Sequence, residues 1–292
     1  MKILMVKTPT SGWWNTGIPK YNDNPAMQEG SIPNTEVLDS EREKLKKVIY
    51  KTEHELIEID FPKELDQKEP GHDFIFIRDP FISNQKGKVI ILRSGEPLRR
   101  RENHIIKNIL EEMGYSTTSI PDKKGIRADG GEFYFCGEGD YLFAGIQRNT
   151  LKGIESVAEA LDVKKLLILD GLGYHLDTFF TPVLHKNGKL AALIVCSEIL
   201  SMQSKRDLMY FAERENLPVF RIPPMDAIGT SKKLGTFAVN ALPLPGLLIR
   251  PNNFTDSALD QKISDLGIEC AVTPTSQFQL SGGSIHCVTN EL

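Results

Sequence analysis

The sequence predicts an α/β protein built from a repeated unit of strand, turn, strand, helix and strand. Five amphipathic segments with helical periodicity recur at intervals of roughly 50–60 residues. They span residues 40–56, 101–114, 150–162, 204–216 and 255–267. A short strand-like segment follows each of them, and two apolar runs joined by a turn precede most of them. The unit occurs about five times when the two chain ends are counted as one split unit.

The helix boundaries are predicted from capping residues. Four helices are expected to begin at a residue whose side-chain oxygen can accept hydrogen bonds from free backbone N–H groups, namely Ser40, Thr150, Ser204 and Thr255. Gly114 and Gly267 are the last residues of two of the helical segments. Glycine readily adopts the left-handed backbone conformation that ends a helix, so these two residues are expected to terminate their helices.

The strands are predicted from aliphatic, β-branched and aromatic runs bounded by turn residues. Strand pairs are expected within residues 73–94, 131–146, 178–195 and 235–252. The single strands that follow the helices are expected within residues 56–62, 116–121, 164–170, 218–223 and 269–275. The pattern therefore alternates strands with helices along the whole chain.

Units of this size are too small to be independent domains, which favours one closed, pseudo-symmetric structure over residues 1–292. Closure requires a strand at the C-terminal end to pair near the apolar run at residues 2–6. That pairing would bring the stretch "GGSIHC" (282–287) to the middle of the molecule. Two separate α/β domains are the alternative, but no linker rich in Gly, Ser or Pro separates two halves.

Composition restricts the partners of the chain. The 292 residues are 40% hydrophobic and 25% charged with a net charge of −4, which is ordinary for a soluble globular protein. The longest basic run is residues 99–101, so nucleic acid is not the expected partner. No stretch approaches the roughly 18 apolar residues of a membrane span, and the apolar run at the N-terminus is short for a signal peptide. We expect a cytoplasmic protein without a membrane partner.

The four cysteines are Cys136, Cys196, Cys270 and Cys287, and none lies in a CxxC pair or in a zinc-finger spacing with histidine. The first three have apolar neighbours and are interpreted as core thiols. Cys287 differs because it follows two glycines and His286. It is a candidate nucleophile, although a packing role is the simpler interpretation of one cysteine alone.

Several polar residues interrupt apolar runs, where burial of a polar group needs a reason. They are Arg78, Asp79, Asp129, Glu132, His175 and Asp177, together with Arg99–Arg101, Arg148 and Cys287. Each alone has a structural explanation, as a turn, a hairpin, a satisfied histidine or surface charge. Together, one thiol, one histidine and several acids suit a cysteine nucleophile with an acid/base histidine. Acids grouped around a thiol would disfavour an anionic intermediate but would bind a cation. The planar cation that can donate paired hydrogen bonds to a carboxylate is a guanidinium.

These motifs resemble those of the guanidino-group-modifying enzymes, which include arginine deiminases, dimethylarginine dimethylaminohydrolases and amidinotransferases. The matching motifs occur in the family's order over most of the chain: "RDP" (78–80), "GEPLRRRE" (95–102), "DGGE" (129–132), "IQRNT" (146–150), "HLDT" (175–178) and "GGSIHC" (282–287). The dimethylarginine hydrolases are closest in length. The resemblance implies a five-bladed α/β propeller of ββαβ modules forming a single catalytic domain over residues 1–292.

The resemblance also implies roles for individual residues. Cys287 would be the nucleophile and His175 the general acid/base, with Asp129 as the third catalytic residue. Asp79 and Asp177 would bind the guanidinium group of the substrate.

Two further kinds of contact follow from the same resemblance. Arg99 and Arg148 would hold the α-carboxylate of the substrate, and Asn240 matches a family position near the active site. No metal or organic cofactor is implied. The expected partner is a small arginine-like guanidine, and the oligomeric state, including a homo-oligomer, is left open.

The expected activity is hydrolysis at the guanidinium carbon of arginine or an arginine derivative through a covalent thiouronium, giving citrulline or ornithine. The alternatives are a dimethylarginine dimethylaminohydrolase, an amidinotransferase and a non-enzymatic propeller. The family hydrolases usually carry Glu where this chain has Asp129, and amidinotransferases carry Asp, which keeps transfer chemistry open. The dimethylarginine hydrolases usually lack an acid at the position of Asp177, which favours arginine.

Two local expectations remain. The polar and aromatic loop at residues 10–24, with Trp13 and Trp14, would either cover the active site or cap the surface. His286 and Cys287 would point to opposite faces if the segment were an extended strand, so His175 is the expected partner of the thiol.

Overall fold

The computed structural model describes residues 1–9, 21–29, 31–66, 71–230 and 232–292. Its α-helices are α1 (Pro25–Glu29), α2 (Thr35–Tyr50), α3 (Arg100–Glu112), α4 (Leu151–Ala160), α5 (Met202–Arg214), α6 (Ala258–Asp265) and α7 (Ser276–Gln279). Short 3-10 helices span His72–Ile75, Pro97–Arg99, Gly130–Glu132, Leu176–Thr178 and Pro224–Asp226. Trp13 and Trp14 lie outside the described residues.

The strands of the described chain belong to five three-stranded sheets and one two-stranded sheet. They are β1 (Lys2–Val6), β2 (Glu55–Ile59), β3 (Phe81–Ser83), β4 (Val89–Ile91), β5 (Thr117–Ser119), β6 (Phe133–Cys136), β7 (Tyr141–Gly145), β8 (Lys165–Leu169), β9 (Phe180–Leu184), β10 (Leu190–Val195), β11 (Val219–Arg221), β12 (Gly229–Thr230), β13 (Lys233–Leu234), β14 (Leu242–Leu244), β15 (Leu247–Arg250), β16 (Glu269–Val272) and β17 (Asn290–Glu291). The α/β class predicted from the sequence is confirmed.

The three-stranded sheets share one arrangement. The central strands are β1, β4, β7, β10 and β15. Each central strand pairs antiparallel with one neighbour and parallel with the other, and a helix precedes the parallel strand. This is the order of strands and helix that the repeated sequence unit predicts.

The two ends of the chain meet in one sheet. β17 pairs antiparallel with β1, with Ile3 opposite Glu291 and Leu4 opposite Asn290. The pairing continues in the hydrogen bonds between the backbones of Lys2 and Leu292, at 3.1 and 2.8 Å. The segment that precedes β17 is thereby held inside the structure.

The helices pack through one apolar face each. α3 buries Ile106 and Leu110, and α4 buries Ile154 and Val157, at the spacings that place side chains on one side of a helix. Each fully buried aliphatic side chain stabilises the fold by roughly 1.5–3 kcal/mol. None of the helices in the described part of the chain is long and apolar enough to span a membrane.

Three of the four predicted N-caps are wrong. α2 begins at Thr35 with Asn34 as its cap, α5 is capped by Ser201, and α6 follows Ser257, where Ser40, Ser204 and Thr255 were expected. Asn34 and Ser201 were overlooked because the apolar pattern becomes regular only after the first helical turn. Thr150 does cap α4, accepting a hydrogen bond from the Gly153 backbone N–H at 3.2 Å. Gly114 and Gly267 have the positive φ of helix ends, +88° and +77°.

The polar residues that interrupt the apolar runs lie in turns. Arg78 and Asp79 precede β3, because the Asp79 N–H donates back to the carbonyl of Phe76 and closes a turn. His175 caps the 3-10 helix Leu176–Thr178 and is not part of a strand. Residues 285–288 also form a turn, which removes the basis for placing His286 and Cys287 on opposite faces. Apolar runs alone did not distinguish these turns from the strands that adjoin them.

Candidate active site

Backbone hydrogen bonds join the turns that carry the polar motifs. The Arg78 N–H donates to the Cys287 carbonyl at 3.1 Å, and the Gly130 N–H donates to the Asp79 carbonyl at 2.9 Å. The side chain of Glu132 accepts from the backbone N–H groups of Arg148 at 2.7 Å and Leu176 at 2.9 Å. Motifs separated by up to about two hundred residues in sequence therefore meet at one place.

Cys287 lies in this place with 4% of its surface exposed. Its Sγ is 3.3 Å from Oδ2 of Asp177 and 3.3 Å from Nδ2 of Asn240. The Asn240 amide also donates to the Asp177 carbonyl at 3.1 Å, so Asn240 links the thiol to the backbone of Asp177. Burial raises the pKa of Cys287 well above its ordinary value, and the charges of Asp177 and Asp79 add to this effect. A cation bound beside Asp177 would favour the thiolate.

His175 is buried between two acids. Its Nδ1 is 3.7 Å from Oδ1 of Asp79, and its Nε2 is 3.9 Å from Oδ2 of Asp129. Neither ring nitrogen has a hydrogen-bond partner among the described residues. Burial opposes protonation, but the charge of Asp79, with Asp129, raises the pKa of His175 to about 9. The imidazolium is therefore the stable form at neutral pH, which suits a general acid.

Arg99 is held by acids on several sides. Its guanidinium contacts the Asp79 carboxylate, forms an ion pair with Glu102 at 2.7 Å and donates to the Asp73 carbonyl at 2.9 Å. Burial opposes ionisation of Asp79, but His175 and Arg99 together lower its pKa. Arg99 therefore lies beside the predicted guanidinium-binding acid, and its donors are already engaged by protein oxygens.

Arg148 also lines the cavity that contains Cys287 and His175. It forms a two-pronged ion pair with Asp23, with Nε to Oδ2 at 2.8 Å and Nη2 to Oδ1 at 2.8 Å. The rings of Tyr21 and Tyr174 are 5.4 and 5.3 Å from its guanidinium carbon, within range of cation–π attraction.

The structure adds His286, which the sequence interpretation set aside. Its Nδ1–H donates to Oδ2 of Asp177 at 2.8 Å, the same oxygen that contacts the Cys287 thiol. The ring stacks on Tyr134 with centroids 4.2 Å apart. Burial and the charge of Arg78 lower the pKa of His286, so the ring is neutral. Only the turn at residues 285–288 lets adjacent side chains reach one carboxylate, and no sequence pattern indicated that turn.

The cavity between these residues is small. It is lined by residues that include Asp79, Arg148, Tyr174, His175 and Cys287, and its volume is about 20 Å³. That is room for about one water molecule. No group of three His, Cys, Asp or Glu side chains in the described residues has the geometry of a metal site.

The fold matches those of an arginine dihydrolase domain and of a dimethylarginine dimethylaminohydrolase, so the predicted resemblance to the guanidino-group-modifying enzymes is confirmed. No protein-family profile matches the chain. The N-terminal domain of ArgZ, an arginine dihydrolase from cyanobacteria solved with bound substrate, has a TM-score of 0.79 at 23% identity, over 99% of this chain and 96% of that one. A dimethylarginine dimethylaminohydrolase has a TM-score of 0.71 at 16% identity, over 100% of this chain and 99% of that one.

Two curated proteins are similar in sequence. The bifunctional arginine dihydrolase/ornithine cyclodeaminase ArgZ of Synechocystis sp. is 27% identical over 210 residues, covering 69% of this chain and 26% of ArgZ. The protein AgrE of Nostoc sp., described by the same two activities, is 28% identical over 205 residues, covering 69% of this chain and 27% of AgrE. The match therefore spans about a quarter of the length of either relative.

Proposed function

We propose that this chain is a cysteine-dependent hydrolase of arginine that attacks the guanidinium carbon. The observation that carries the proposal is the position of the Cys287 thiol, 3.3 Å from Asp177 and in one buried cavity with His175 and Asp79. Asp177 Oδ1 is buried without a hydrogen-bond partner among the described residues, which leaves it available to a guanidinium N–H. The likeness to arginine dihydrolases supports arginine as the substrate.

In the first step the Cys287 thiolate adds to the guanidinium carbon of arginine. Protonated His175 gives its proton to the departing nitrogen, which leaves as ammonia, and a covalent S-alkylthiouronium remains on the cysteine. Asp79, Asp129 and Asp177 hold the cationic group and orient it toward the sulfur.

In the second step His175 takes a proton from water, and the hydroxide adds to the thiouronium carbon. The carbon–sulfur bond then breaks while the proton on the added hydroxyl is lost to solvent, releasing citrulline and the thiolate. A second round on citrulline would give ornithine, carbon dioxide and a second ammonia, and the description of the relatives as arginine dihydrolases supports this round. Transfer of the amidino group to an amine, as in amidinotransferases, and hydrolysis of dimethylarginine remain the alternatives.

We also propose how the five sheets are arranged in the molecule. The five three-stranded sheets with one arrangement, and the pairing of β17 with β1, support a five-bladed pseudo-symmetric propeller closed by its two chain ends. Residues 1–292 would then be one catalytic domain.

Product analysis tests the proposed reaction. Purified protein is incubated with L-arginine, asymmetric dimethylarginine or agmatine, each with and without glycine, and the products are identified by mass spectrometry. Citrulline or ornithine from arginine is the expected result. A new guanidine that forms only with glycine would favour transfer, and no product from any substrate would contradict an enzymatic role.

Replacing Asp129 with asparagine is expected to lower the pKa of His175. The carboxylate of Asp129 is 3.9 Å from His175 and helps to raise the pKa of that imidazole to about 9. A neutral amide stabilises the imidazolium less, so the pKa falls and His175 loses its proton at lower pH. NMR titration of the His175 imidazole in the free enzyme should show a midpoint at lower pH than in the wild type. A midpoint that stays in place would show that Asp129 does not contribute to the pKa of His175.

His286 is expected to act as a positioning residue for Asp177. The variant His286→Phe keeps a ring to stack on Tyr134 but removes the N–H that donates to Asp177. Displacement of this carboxylate should lower kcat/KM by about 10- to 100-fold. His286→Gln retains an N–H donor and should be the milder variant, and His104→Phe, at an exposed position, serves as the control. Equal activity of His286→Phe and the wild type would remove His286 from the mechanism.

A further inference from the structure

Arg148 is paired with a carboxylate from its own chain. Asp23 accepts two hydrogen bonds, one on each carboxylate oxygen, from Nε and Nη2 of Arg148, both at 2.8 Å. This is the geometry in which a guanidinium recognises a free carboxylate. The side chain of Arg148 is 7% exposed, and that of Asp23 is 43% exposed. Asp23 therefore reaches a buried arginine from a partly open position.

The other arginine predicted to hold the substrate carboxylate is occupied as well. Arg99 contacts Asp79 and Glu102, which are both buried. Rearranging Arg99 would leave these two acids buried without their counter-ion, which is costly. Asp23 is more exposed, so releasing Arg148 costs less. Of these two arginines, Arg148 is therefore the one that a substrate carboxylate can bind at the lower cost in free energy.

The segment that carries Asp23 is attached to the cavity wall on both sides of it. The Tyr21 hydroxyl donates to Asp73 at 2.6 Å, and the Asn24 amide donates to the Ser281 carbonyl at 3.0 Å. Tyr21 and Asn24 line the cavity of about 20 Å³. A ligand larger than water requires the cavity to widen, and a ligand whose carboxylate binds Arg148 must replace Asp23 there.

We propose that Asp23 competes with the substrate's carboxylate for Arg148 and so determines specificity, disfavouring arginine relative to guanidines that lack a carboxylate. The inference rests on the proposed function, because it assigns the α-carboxylate of arginine to Arg148. A guanidine with an amine in place of the amino acid group leaves the Asp23–Arg148 pair intact. Arginine binds only to the fraction of molecules in which Arg148 is open, and its apparent affinity is reduced by that fraction.

Calorimetric binding to protein carrying Cys287→Ala tests the inference without turnover. L-arginine and agmatine are titrated into this parent and into the same protein carrying Asp23→Asn. The amide has no negative charge, so arginine should bind about tenfold more tightly, the factor expected if Arg148 is open about a tenth of the time in the parent. Agmatine affinity should be unchanged or weaker.

A matched control is available elsewhere in the chain. Asp260 pairs with the buried Arg250 through two hydrogen bonds of 2.6 Å, and its side chain is 39% exposed. Asp260→Asn removes a similar ion pair away from the cavity and should change neither affinity. Thermal unfolding of each variant shows whether it is folded at the temperature of the titration.

The outcomes separate the two proposals. Unchanged or weaker arginine binding by Asp23→Asn, with measurable binding by the parent, would overturn the competition and leave the proposed function in place. An equal increase in affinity for arginine and for agmatine would also overturn the competition. That result would show that Asp23 blocks the cavity sterically, whether or not the ligand has a carboxylate. Absence of binding of both ligands to every variant would overturn the proposed function and the role of Asp23 together.

Discussion

Replacing Cys287 with serine is expected to abolish arginine hydrolysis, lowering kcat by about 10³-fold or more. A serine hydroxyl is a far weaker nucleophile than a thiolate, and the acids that surround position 287 would oppose its ionisation further. Because serine is close in size to cysteine, the side chain should keep its contacts with Asn240 and Asp177. The fold and substrate binding should therefore survive while turnover is lost. Steady-state assays for citrulline and ornithine measure the effect.

The matched control is Cys270→Ser, which removes a half-buried thiol on β16. This variant should retain wild-type activity. Intact-protein mass spectrometry of the wild type during turnover should detect the thiouronium adduct, and the Cys287→Ser protein should lack it. Turnover by Cys287→Ser at the wild-type rate would contradict the covalent mechanism.

Replacing Gly130 with alanine is expected to destabilise the protein by about 3 kcal/mol or more. A Cβ at position 130 would lie 1.9 Å from the Arg78 carbonyl oxygen and 3.1 Å from the Phe81 carbonyl oxygen. Both obstacles are backbone atoms, so no side-chain rotation relieves the overlap. The Gly130 N–H also donates to the Asp79 carbonyl, so the turn that carries Asp79 must shift with it. Urea denaturation measures the loss, and arginine hydrolysis should fall in parallel.

Gly137→Ala is the control for this substitution. A Cβ at position 137 would meet its nearest neighbour, a ring carbon of Phe135, at 3.5 Å, which is ordinary van der Waals contact. Its stability should stay within about 1 kcal/mol of the wild type. Equal stability of the two alanine variants would show that the turns at residues 78–80 and 129–132 are less closely packed than the structure indicates.

The spacing of apolar residues predicted the repeated unit. In a helix or a strand the buried residues recur with the period of that element, so its period is visible in the sequence. The pattern located α3 and α4 to within two residues at each end, and it placed β9, β10 and β15 within their predicted runs. It failed where a capping residue lies ahead of the apolar pattern, as at Asn34, because caps depend on a single hydrogen bond and not on burial.

The candidate site was likewise predicted only in part from the sequence. The types and order of the polar residues predicted a thiol, a histidine and acids suited to a guanidinium, because burying such groups in apolar runs is costly without a purpose. The contacts depend on turns that periodicity does not describe. Asn240 was predicted to lie near the site, but only the structure shows that it donates to Cys287 and to Asp177.

By itself, the sequence predicted the α/β class, the five-fold recurrence and the proposed kind of chemistry, since these follow from local burial patterns and residue types. Only the tertiary structure decided which groups pair. It joined His286 to Asp177, Asp23 to Arg148 and Arg99 to Asp79, partners that lie 109, 125 and 20 residues apart. Ion pairs and hydrogen bonds over such separations depend on where turns bring the chain together. That information resides in the packing of the whole molecule and not in any one segment.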